Sequence, residues 1–413
     1  MQYSYFYFLK TKKHICYLSY DGIVDPLGQS QILPYLYSLN KNINFNFTII
    51  SFEKAKNINK IPSIKIKLND LNIKWVALKY TKNPPIISTL LDIVKLKFAV
   101  KKLLFKKPID LLHCRSYITA IAGLTFKNNK NIPFVFDMRG FYADERVDGK
   151  IWNKKNLIYN FIYEFFKEKE KQFLTKSNHT VSLTFAGKKE IESWGLPNLS
   201  PISIIPCCTD EKLFNINSTQ DRRKDLGIKK SEVIITYVGS IGTWYLLKEM
   251  LEFFKVLYTK TKKAKFLFIT KDDPLPIFKK CREISIPKAA IIIKSSEREG
   301  IPSLINVSNF SIFFITPKFS KIASSPTKMG EIMNLGIPII CNTGVGDVEK
   351  IMNECMPELL VNELNKKEYN RIINLILNNY KFDQQKILKT SVKYYSLTNG
   401  IKKYTDIYTQ ILN

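Results

Sequence analysis

Short apolar runs alternate with amphipathic segments along most of the chain. In the first half, the runs His14–Ser19, Phe45–Phe52, Asp110–Arg115 and Pro133–Met138 have the length and composition of buried strands. Segments with the helical spacing of apolar residues separate these runs. The same alternation continues in the second half, so the pattern predicts two successive α/β domains with a cleft between them.

The stretch Ser324–Asp347, SSPTKMGEIMNLGIPIICNTGVGD, is the most regular unit of this pattern. The apolar run 312–315 before it predicts a strand. Ser325 followed by Pro326 predicts a helix start, with serine as the N-cap and proline at the first helical position. Gly336 ends this helix, and a second strand and helix follow.

Lys328 and Glu331 stand three residues apart and therefore share one face of the predicted helix. Helix N-termini gather at the carboxyl edge of a parallel sheet, where backbone N–H groups and the helix dipole favour an anion. A cation for phosphate and a carboxylate for sugar hydroxyls would then lie together. The same spacing also fits an ordinary strand-helix-strand unit with a solvated Lys/Glu pair, and the spacing alone does not decide between these interpretations.

Polar residues follow two strands of the first half. The run 110–115 is predicted to release His113 and Arg115 into a loop at its end, and the run 133–138 is followed by Arg139 and Gly140. Carboxyl ends of parallel strands meet at one edge of the sheet, so these side chains and Asp137 are expected at a common rim. A lone histidine can equally be structural.

The loop after the first strand contains Asp21, Gly22, Gly28 and Gln29. A strand, a glycine-containing loop and a helix in this order suit a doubly wound domain whose first loop meets a ligand. This loop is not the dinucleotide fingerprint, because GxGxxG is absent and Gly28 stands nearly alone.

Composition adds limits to this picture. At 413 residues the chain is long enough for two domains, and 45% hydrophobic residues can fill both cores. The seven cysteines form no CxxC pair and have no histidines at metal spacing, so we expect buried free thiols and no metal. No signal-peptide pattern or apolar run of membrane-span length is visible. We therefore expect a cytoplasmic protein, either soluble or peripheral on the inner face of the cell membrane.

The net charge is +28, and the basic segment Lys54–Lys107 holds fourteen lysines against two acids. Within it, residues 87–107 predict a helix that carries Leu91, Val94 and Phe98 near one face and lysines on the rest. This pattern is typical of a helix at an anionic membrane surface, and equally of a helix that covers a sheet and has a solvated face. The segment lacks arginine and regular aromatic interleaving, which disfavours a nucleic-acid partner.

Several segments together resemble one enzyme family. They are LSYDGIVDPLGQSQILPYL at 18–36, FDMRGFYADERVDG at 136–149, IIPCCTDEKLF at 204–214, VGSIGTW at 238–244 and SPTKMGEIMNLGIPIICNTGVGD at 325–347. In this order they resemble the family 4 glycosyltransferases, which have the GT-B fold of two facing Rossmann-like domains. The resemblance implies an acceptor-side domain over 1–215, a nucleotide-sugar domain over 216–394, and a final segment 395–413 that crosses back onto the first.

The resemblance also implies an activity. Such an enzyme is a hexosyltransferase that moves a sugar from a nucleotide-diphosphate sugar, with retention at the anomeric carbon and without metal or cofactor. The acceptor would be a saccharide or a polyprenyl-linked saccharide in cell-surface polysaccharide synthesis. Two alternatives remain: a GT-B nucleotide-sugar-binding protein that lacks transferase activity, and a basic nucleic-acid-binding protein, which only the charge favours.

The family's motifs assign roles to particular residues. Glu331 matches the second glutamate of the Glu-seven residues-Glu signature and would hold the ribose hydroxyls, whereas the first glutamate falls at Ala323 and is missing. Many relatives grip the diphosphate with an arginine at the position of Ser240, and here Lys328 is the predicted substitute. The catalytic candidates are therefore Lys328 and Glu331, with Asp137 as an acceptor-side aid together with His113.

The full sets of predicted site residues follow from these matches. On the donor side they are Gly239, Ser240, Gly242, Thr243, Ser325, Thr327, Lys328, Glu331, Gly344 and Gly346. On the acceptor side they are Asp21, Gly22, Gly28, Gln29, His113, Arg115, Asp137, Arg139 and Gly140.

Overall fold

The structure is a computed structural model that describes residues 12–378 and 380–413. Within these residues the strands form two parallel sheets, one of seven strands and one of six. Each sheet with its helices is a Rossmann-like domain, and the two domains face each other. The predicted fold class is therefore confirmed, whereas the predicted domain boundaries stay predictions.

The first sheet has the strand order β3-β2-β1-β4-β5-β6-β7. Its strands are β1 (Lys13–Ser19), β2 (Phe45–Glu53), β3 (Lys74–Lys79), β4 (Leu111–Arg115), β5 (Phe134–Asp137), β6 (His179–Ser182) and β7 (Ile202–Ile204). The accompanying helices are α1 (Pro26–Gln31), α2 (Leu33–Leu39), α3 (Ile61–Asp70), α4 (Ile87–Leu104), α5 (Ser116–Lys130), α6 (Tyr142–Asp148), α7 (Leu157–Lys176) and α8 (Phe185–Ser193).

The second sheet has the strand order β10-β9-β8-β11-β12-β13. Its strands are β8 (Val233–Val238), β9 (Ala264–Ile269), β10 (Ile291–Lys294), β11 (Phe310–Phe313), β12 (Ile339–Asn342) and β13 (Leu360–Val361). The helices are α9 (Leu247–Lys260), α10 (Leu275–Glu283), α11 (Ile301–Ile305), α12 (Thr327–Met333), α13 (Val348–Cys355), α14 (Lys366–Leu377), α15 (Gln384–Tyr395) and α16 (Leu397–Leu412).

The strand sequences explain why the first sheet is buried on both faces. Successive side chains of a strand point to opposite faces, so Cys16 and Leu18 of β1 enter one core cluster while Ile15 and Tyr17 enter another. Each such side chain stabilises the fold by roughly 1.5–3 kcal/mol when it is fully buried. The continuous apolar runs of the sequence therefore predict the strands of this domain well.

The last helix, α16, packs on the first domain. Tyr404 and Tyr408 belong to the same buried cluster as Phe45 and Phe47 of β2. The Tyr404 hydroxyl donates a hydrogen bond of 3.2 Å to the Asp137 carboxylate. The final residues of the chain thus complete the core of a domain whose other elements lie before residue 215.

Hydrogen bonds join the two domains beside the cleft. The carboxylate of Asp347 accepts the backbone N–H groups of Phe185 and Ala186 at 2.7 and 3.0 Å, and so it caps α8 from the other domain. The Thr184 hydroxyl donates to the carbonyl oxygen of Ile322 at 2.8 Å. The segment that contains Ile322 is a 3-10 helix, Phe319–Ala323, which lies against α6 and α8.

Asp383 marks the start of α15 as a helix separate from α14, because its carboxylate accepts the N–H of Lys386. Two local predictions need correction. Ser325 does not cap α12, since its hydroxyl oxygen accepts the N–H of Cys207 across the cleft. The loop predicted after β4 does not exist, because α5 begins at Ser116 directly after the strand.

Helix α4 covers the sheet with a stripe that the sequence pattern did not single out. Ile93, Leu96 and Val100 face the core, whereas Val94 and Phe98 are exposed. The helix is therefore apolar both toward the sheet and toward solvent.

We expect the folded state to lose stability on acidification. All three histidines, His14, His113 and His179, lie on strands of the first sheet, and burial lowers the pKa of each. The unfolded chain takes up these protons at higher pH than the folded chain. The histidines therefore contribute their full stability above about pH 6.5, the pKa of an unperturbed histidine, and this contribution is lost as the pH falls below that value. The loss reaches about 1.4 kcal/mol per pH unit for each histidine, measurable by calorimetry.

His179→Gln provides the control for this pH dependence. Glutamine can keep a partner for the Ser203 hydroxyl, which lies 2.9 Å from His179 Nε2, but it does not titrate. The stability of this variant should decline less steeply between about pH 7 and pH 5. An equally steep decline would contradict the assignment of the effect to the buried imidazole.

Candidate active site in the interdomain cleft

A cavity of about 300 Å³ opens between the two domains. It is lined by residues of the loop after β1 and by the ends of strands β8, β9 and β10 with the loops that follow them. The lining includes Gln29 and Lys60 from the first domain. From the second domain it includes Gly239, Ser240, Asp272 and Arg298. Its volume lies at the lower end of the range of small-molecule sites.

Helix α12 brings Lys328 and Glu331 into the protein beside this cavity. The two residues are only 7% and 6% exposed. Met329, Ile332 and Met333, on the rest of the helix, are fully buried as well. The interpretation of Lys328 and Glu331 as a solvated surface pair is therefore excluded. A buried charge without full compensation is costly, so both groups need a partner of their own.

The Lys328 ammonium group is buried and has no hydrogen-bond partner among the described residues. The rings of Tyr245 and Tyr237 lie 3.5 and 4.1 Å from it and hold it by cation–π contact. It lies next to Gly239, where an added Cβ would stand 3.2 Å from the Lys328 nitrogen. Burial lowers the pKa of Lys328 well below its usual value, and the charge of Glu331 only partly opposes this. An anion bound here would supply the missing partner.

Glu331 forms an ion pair with Arg298, a residue that the sequence did not reveal. Arg298 Nη1 lies 2.9 Å from Glu331 Oε1, off the direction of a regular hydrogen bond, so the pair is held mainly by charge. The guanidinium also lies over the ring of Phe214 at 5.1 Å. Burial raises the pKa of Glu331, and Arg298 opposes that rise. A short loop after β10, SSEREG, carries Arg298 to the same sheet edge as α12.

The loop after β8 is fixed by Asp272. The carboxylate of Asp272 accepts the Ser240 hydroxyl at 2.6 Å and the N–H of Ile241 at 2.8 Å. Gly239 needs its φ of +116°, a conformation that other residues rarely adopt. No side chain lies near Gly242, and Thr243 also has a positive φ, so the backbone of this loop is open to a close approach.

The remaining residues predicted on the donor side lie near α12 but do not line the cavity. A Cβ at Gly346 would collide with the carbonyl oxygen of Ser324, and one at Gly344 would lie 2.8 Å from Pro317. These two glycines therefore have clear packing roles. Thr327 is the first residue of α12, two residues after Ser325.

Three residues predicted on the acceptor side, His113, Arg115 and Arg139, surround Asp137. Its carboxylate lies 3.6 Å from Arg139 Nη1, 3.7 Å from Arg115 Nη1 and 3.4 Å from His113 Nε2. Burial opposes ionisation, but Arg139 and these neighbours hold the pKa of Asp137 well below its usual range. Arg139 has a positive φ of 60° and donates to the Cys207 sulfur at 3.3 Å.

His113 is enclosed within this cluster. Its ring stacks on Tyr17 at 4.3 Å, and its Nδ1 shares a hydrogen bond of 2.7 Å with the Tyr408 hydroxyl. Burial lowers the pKa of His113 despite the neighbouring carboxylate of Asp137. The imidazole is enclosed by protein groups in this arrangement, and its role as an acceptor-side aid stays a prediction.

The loop after β1 and the helix α1 that follows it reach both groups of residues. Asp21 of the loop lies 3.5 Å from Arg115, whereas Gln29 of α1 lines the cavity together with Gly239. A Cβ at Gly28 would collide with the carbonyl oxygen of Gly22, so α1 needs glycine where it packs against this loop. Gln29, predicted on the acceptor side, therefore also adjoins the donor-side loop. Gly140 faces Ala323 across the cleft, 3.7 Å from its carbonyl oxygen to an added Cβ.

Three further features of the described residues are their metal-ligand groups, their cysteines and the apolar character of their helices. Among the described residues, no group of three or more His, Cys, Asp or Glu side chains is arranged to hold a metal ion. The seven cysteines are all buried and unpaired, as predicted. No helix in the described part of the chain has the length and apolar character that a membrane crossing requires.

Sequence comparison assigns the chain to a family. Glycosyltransferase Family 4 matches residues 58–213, and Glycosyl transferases group 1 matches residues 218–391. The chain belongs to the family 4 glycosyltransferases. It is therefore a glycosyltransferase, which favours the enzyme over the two non-catalytic alternatives. Comparison with curated protein sequences gives no match.

Solved structures share the GT-B fold of this glycosyltransferase over its whole length. Sucrose-phosphate synthase from Thermosynechococcus elongatus has a TM-score of 0.73 at 15% identity, covering 97% of this chain and 99% of its own. HepE of Anabaena in complex with UDP gives 0.70 at 10%, covering 96% and 100%. The lipopolysaccharide outer core galactosyltransferase WaaB gives 0.64 at 13%, covering 96% and 99%.

The structure explains why the first glutamate of the family signature is absent. Ala323 is 2% exposed and lies against Gly187 of the first domain, where an added Cβ would stand 3.0 Å from that of Ala323. The stacking of Phe319 on Phe141 at 5.2 Å holds this segment against α6. Close packing between the domains therefore takes the place that a glutamate side chain would need.

We expect Ala323→Glu to destabilise the protein and not to improve donor binding. Overpacking together with a buried carboxylate should lower the free energy of unfolding by at least about 2 kcal/mol. Denaturant titration would measure this loss. Ala289→Glu, on the exposed surface of the same domain, is the control and should change stability by no more than about 0.5 kcal/mol. Wild-type stability of Ala323→Glu with tighter donor binding would refute the packing argument.

Proposed function

We propose that this enzyme is a retaining glycosyltransferase that moves a hexose from a nucleotide-diphosphate sugar to a saccharide or lipid-linked saccharide acceptor. The observation that carries the proposal is the buried Lys328 ammonium group. It has no hydrogen-bond partner in the part of the chain that the structure describes, and it lies beside Gly239 at the interdomain cavity. An unpaired buried cation at a ligand cavity is explained when the substrate brings the anion.

The donor would lie across the second domain. Lys328 and the open backbone at Gly242 and Thr243 would contact the diphosphate, and Glu331 would accept hydrogen bonds from the ribose hydroxyls. Arg298 would act as a positioning residue that keeps Glu331 ionised and oriented. HepE of Anabaena has been solved in complex with UDP and with UDP-glucose, which supports a nucleotide-sugar donor here.

The proposed mechanism follows from the charges that develop. Cleavage of the sugar–phosphate bond places positive charge on the sugar and negative charge on the leaving diphosphate, so a fixed cation near that phosphate stabilises the transition state. The acidic residues that line the cavity are already engaged, Asp272 with the loop after β8 and Glu297 with Lys271 at 2.6 Å. We therefore favour attack by the acceptor hydroxyl on the same face as the leaving phosphate, which takes up the proton, over a covalent intermediate on a carboxylate. No metal or cofactor is required by this scheme.

The acceptor would approach the first domain at the Asp137 cluster. Arg115 and Arg139 at this rim suit a saccharide that carries a phosphate or another anionic group. The name of WaaB describes a lipopolysaccharide outer core galactosyltransferase, which is consistent with a role in cell-surface polysaccharide synthesis. A lipid-linked acceptor would require work at the cytoplasmic face of the membrane.

Glu331→Gln should abolish or strongly weaken nucleotide binding without unfolding the protein. Thermal shift with UDP, GDP, ADP and their sugar conjugates, without added metal, would measure the effect, since a ligand at a hundredfold excess over its Kd stabilises by about 2.7 kcal/mol. One nucleotide should raise the melting temperature of the wild type but not of the variant. The Glu363→Gln control is an exposed glutamate of the same domain. Equal shifts in wild type and Glu331→Gln would disprove the ribose assignment.

Lys328→Met should weaken binding of the nucleoside diphosphate selectively. Methionine keeps the volume between the tyrosine rings but removes the charge, so the affinity for the diphosphate should fall by about tenfold to a hundredfold. Calorimetric titration should show little change for the free nucleoside. Lys279→Met, an exposed lysine of α10, is the matched control. A parallel loss for nucleoside and diphosphate would show that Lys328 does not contact phosphate.

A further inference from the structure

Exposed large apolar side chains are concentrated on two helices of the first domain. Of twenty-one exposed large hydrophobic residues in the described part of the chain, nine lie on α4 and α7, and Phe105 follows α4 directly. Isolated exposed apolar residues are normal on a protein surface, but a concentration of this kind marks an interaction site.

On α4 these residues form an outward stripe. Ile87, Leu91, Val94 and Phe98 follow one another at intervals of four, three and four residues, so they share one side of the helix. Phe98 is 67% exposed. The core-facing stripe of the same helix is separate, as described above, so the outward stripe is not needed to cover the sheet.

On α7 a second stripe occupies the first half of the helix. Leu157, Phe161 and Phe165 follow at intervals of four residues, and Phe161 is 72% exposed. The sequence alone gave no reason to single out this helix, because its acids and bases are interleaved with its aromatic residues. Lys154 and Lys155 stand immediately before its N-terminus.

The two stripes lie on the same side of the domain. Both helices pack against α5, and their buried residues belong to one core cluster. Each helix leads into a strand of the same parallel sheet, so both run away from the cleft edge. Lys97 of α4 and Lys169 of α7 are close enough that the charge of Lys169, after burial, contributes to a lowered pKa of Lys97.

Lysines surround these apolar stripes. Residues 87–107 contain six lysines and a single acid, Asp92, which is buried and pairs with Lys95 at 2.9 Å. A groove of about 910 Å³ runs between α4 and the edge strand β3 and joins lysine ammonium groups to apolar surface at Trp75 and Phe98. A groove with both characters matches a phospholipid, which carries an anionic headgroup on an apolar chain.

We propose that α4 and α7 together form a surface that binds an anionic lipid bilayer, with their apolar stripes inserted at the interface and the surrounding lysines on the headgroups. The lysine ammonium group is a point charge on a flexible stem, so it suits mobile lipid headgroups. The apolar stripes need a partner that removes them from water. This inference rests on the proposed function, because it states where a lipid-linked acceptor would reach the enzyme.

The position of the stripes relative to the cleft adds to the argument. Both stripes occupy the parts of their helices nearest the cleft edge. Gly149, a few residues before α7, already touches the second domain, where an added Cβ would stand 2.8 Å from the Trp244 ring. A bilayer on this surface would therefore present a lipid-linked acceptor beside the entrance to the cleft.

Vesicle co-sedimentation of the full chain tests the proposal. Wild-type protein should bind vesicles of phosphatidylcholine with phosphatidylglycerol, bind phosphatidylcholine alone at least about tenfold more weakly, and lose affinity as salt rises. The double variants Val94→Ser/Phe98→Ser and Leu157→Ser/Phe161→Ser should each reduce binding by at least about tenfold. Leu275→Ser/Ile43→Ser removes two equally exposed apolar residues elsewhere and should bind like the wild type.

The outcomes separate this proposal from its rivals. Wild-type binding by either helix variant, or an equal loss in the Leu275/Ile43 control, would overturn the two-helix surface. A concentration-dependent dimer in light scattering that the helix variants convert to monomer would instead make this a face between two copies of the chain. The assay contains no nucleotide, and the nucleotide thermal shift contains no lipid, so each proposal can fail without the other. A normal shift also shows that the variants are folded.

Discussion

The structure depends on how charges are buried at the two facing sheet edges. Removing a charge from water costs several kcal/mol unless partners replace the solvent, and both edges of the cleft hold such charges. In the first domain Asp137 is compensated by two arginines and by the hydroxyl group of Tyr404 on α16. In the second domain Glu331 has Arg298, but the ammonium group of Lys328 has only aromatic rings. This imbalance, more than any motif, distinguishes a ligand site from a closed core.

The contact between the domains constrains the same cleft. Lys321 sits between them, 2.9 Å from Glu145 and 3.5 Å from the Trp244 ring, while Asp347 caps α8. These contacts surround Ala323 and fill the place of the family's first glutamate. The loss of that carboxylate and the gain of close packing are thus two descriptions of one change. Donor recognition is left to groups on α12 and on the loops after β8 and β10.

Features set by short sequence spacing could be predicted, and features set by tertiary contact could not. The apolar runs predicted the parallel strands, and the Lys328–Glu331 spacing placed both residues on one helix. Arg298 was missed because its partner Glu331 is distant in sequence and meets it only when β10 and α12 share a sheet edge. The core-facing stripe of α4 was not singled out, because a helix that is apolar on two sides does not show from its sequence which side meets the sheet. The enclosure of His113 depends on α16, which no local pattern connects to β4.

The position of α16 has a consequence for biosynthesis. The ribosome completes β1 to β7 long before it makes Tyr404 and Tyr408, because the entire second domain is translated in between. Until then the first domain lacks the hydroxyl groups that meet Asp137 and His113, and the apolar cluster that includes Phe45 and Phe47 stays open. Folding of this domain would therefore be completed only after synthesis of the second, which makes co-translational folding of the two halves interdependent.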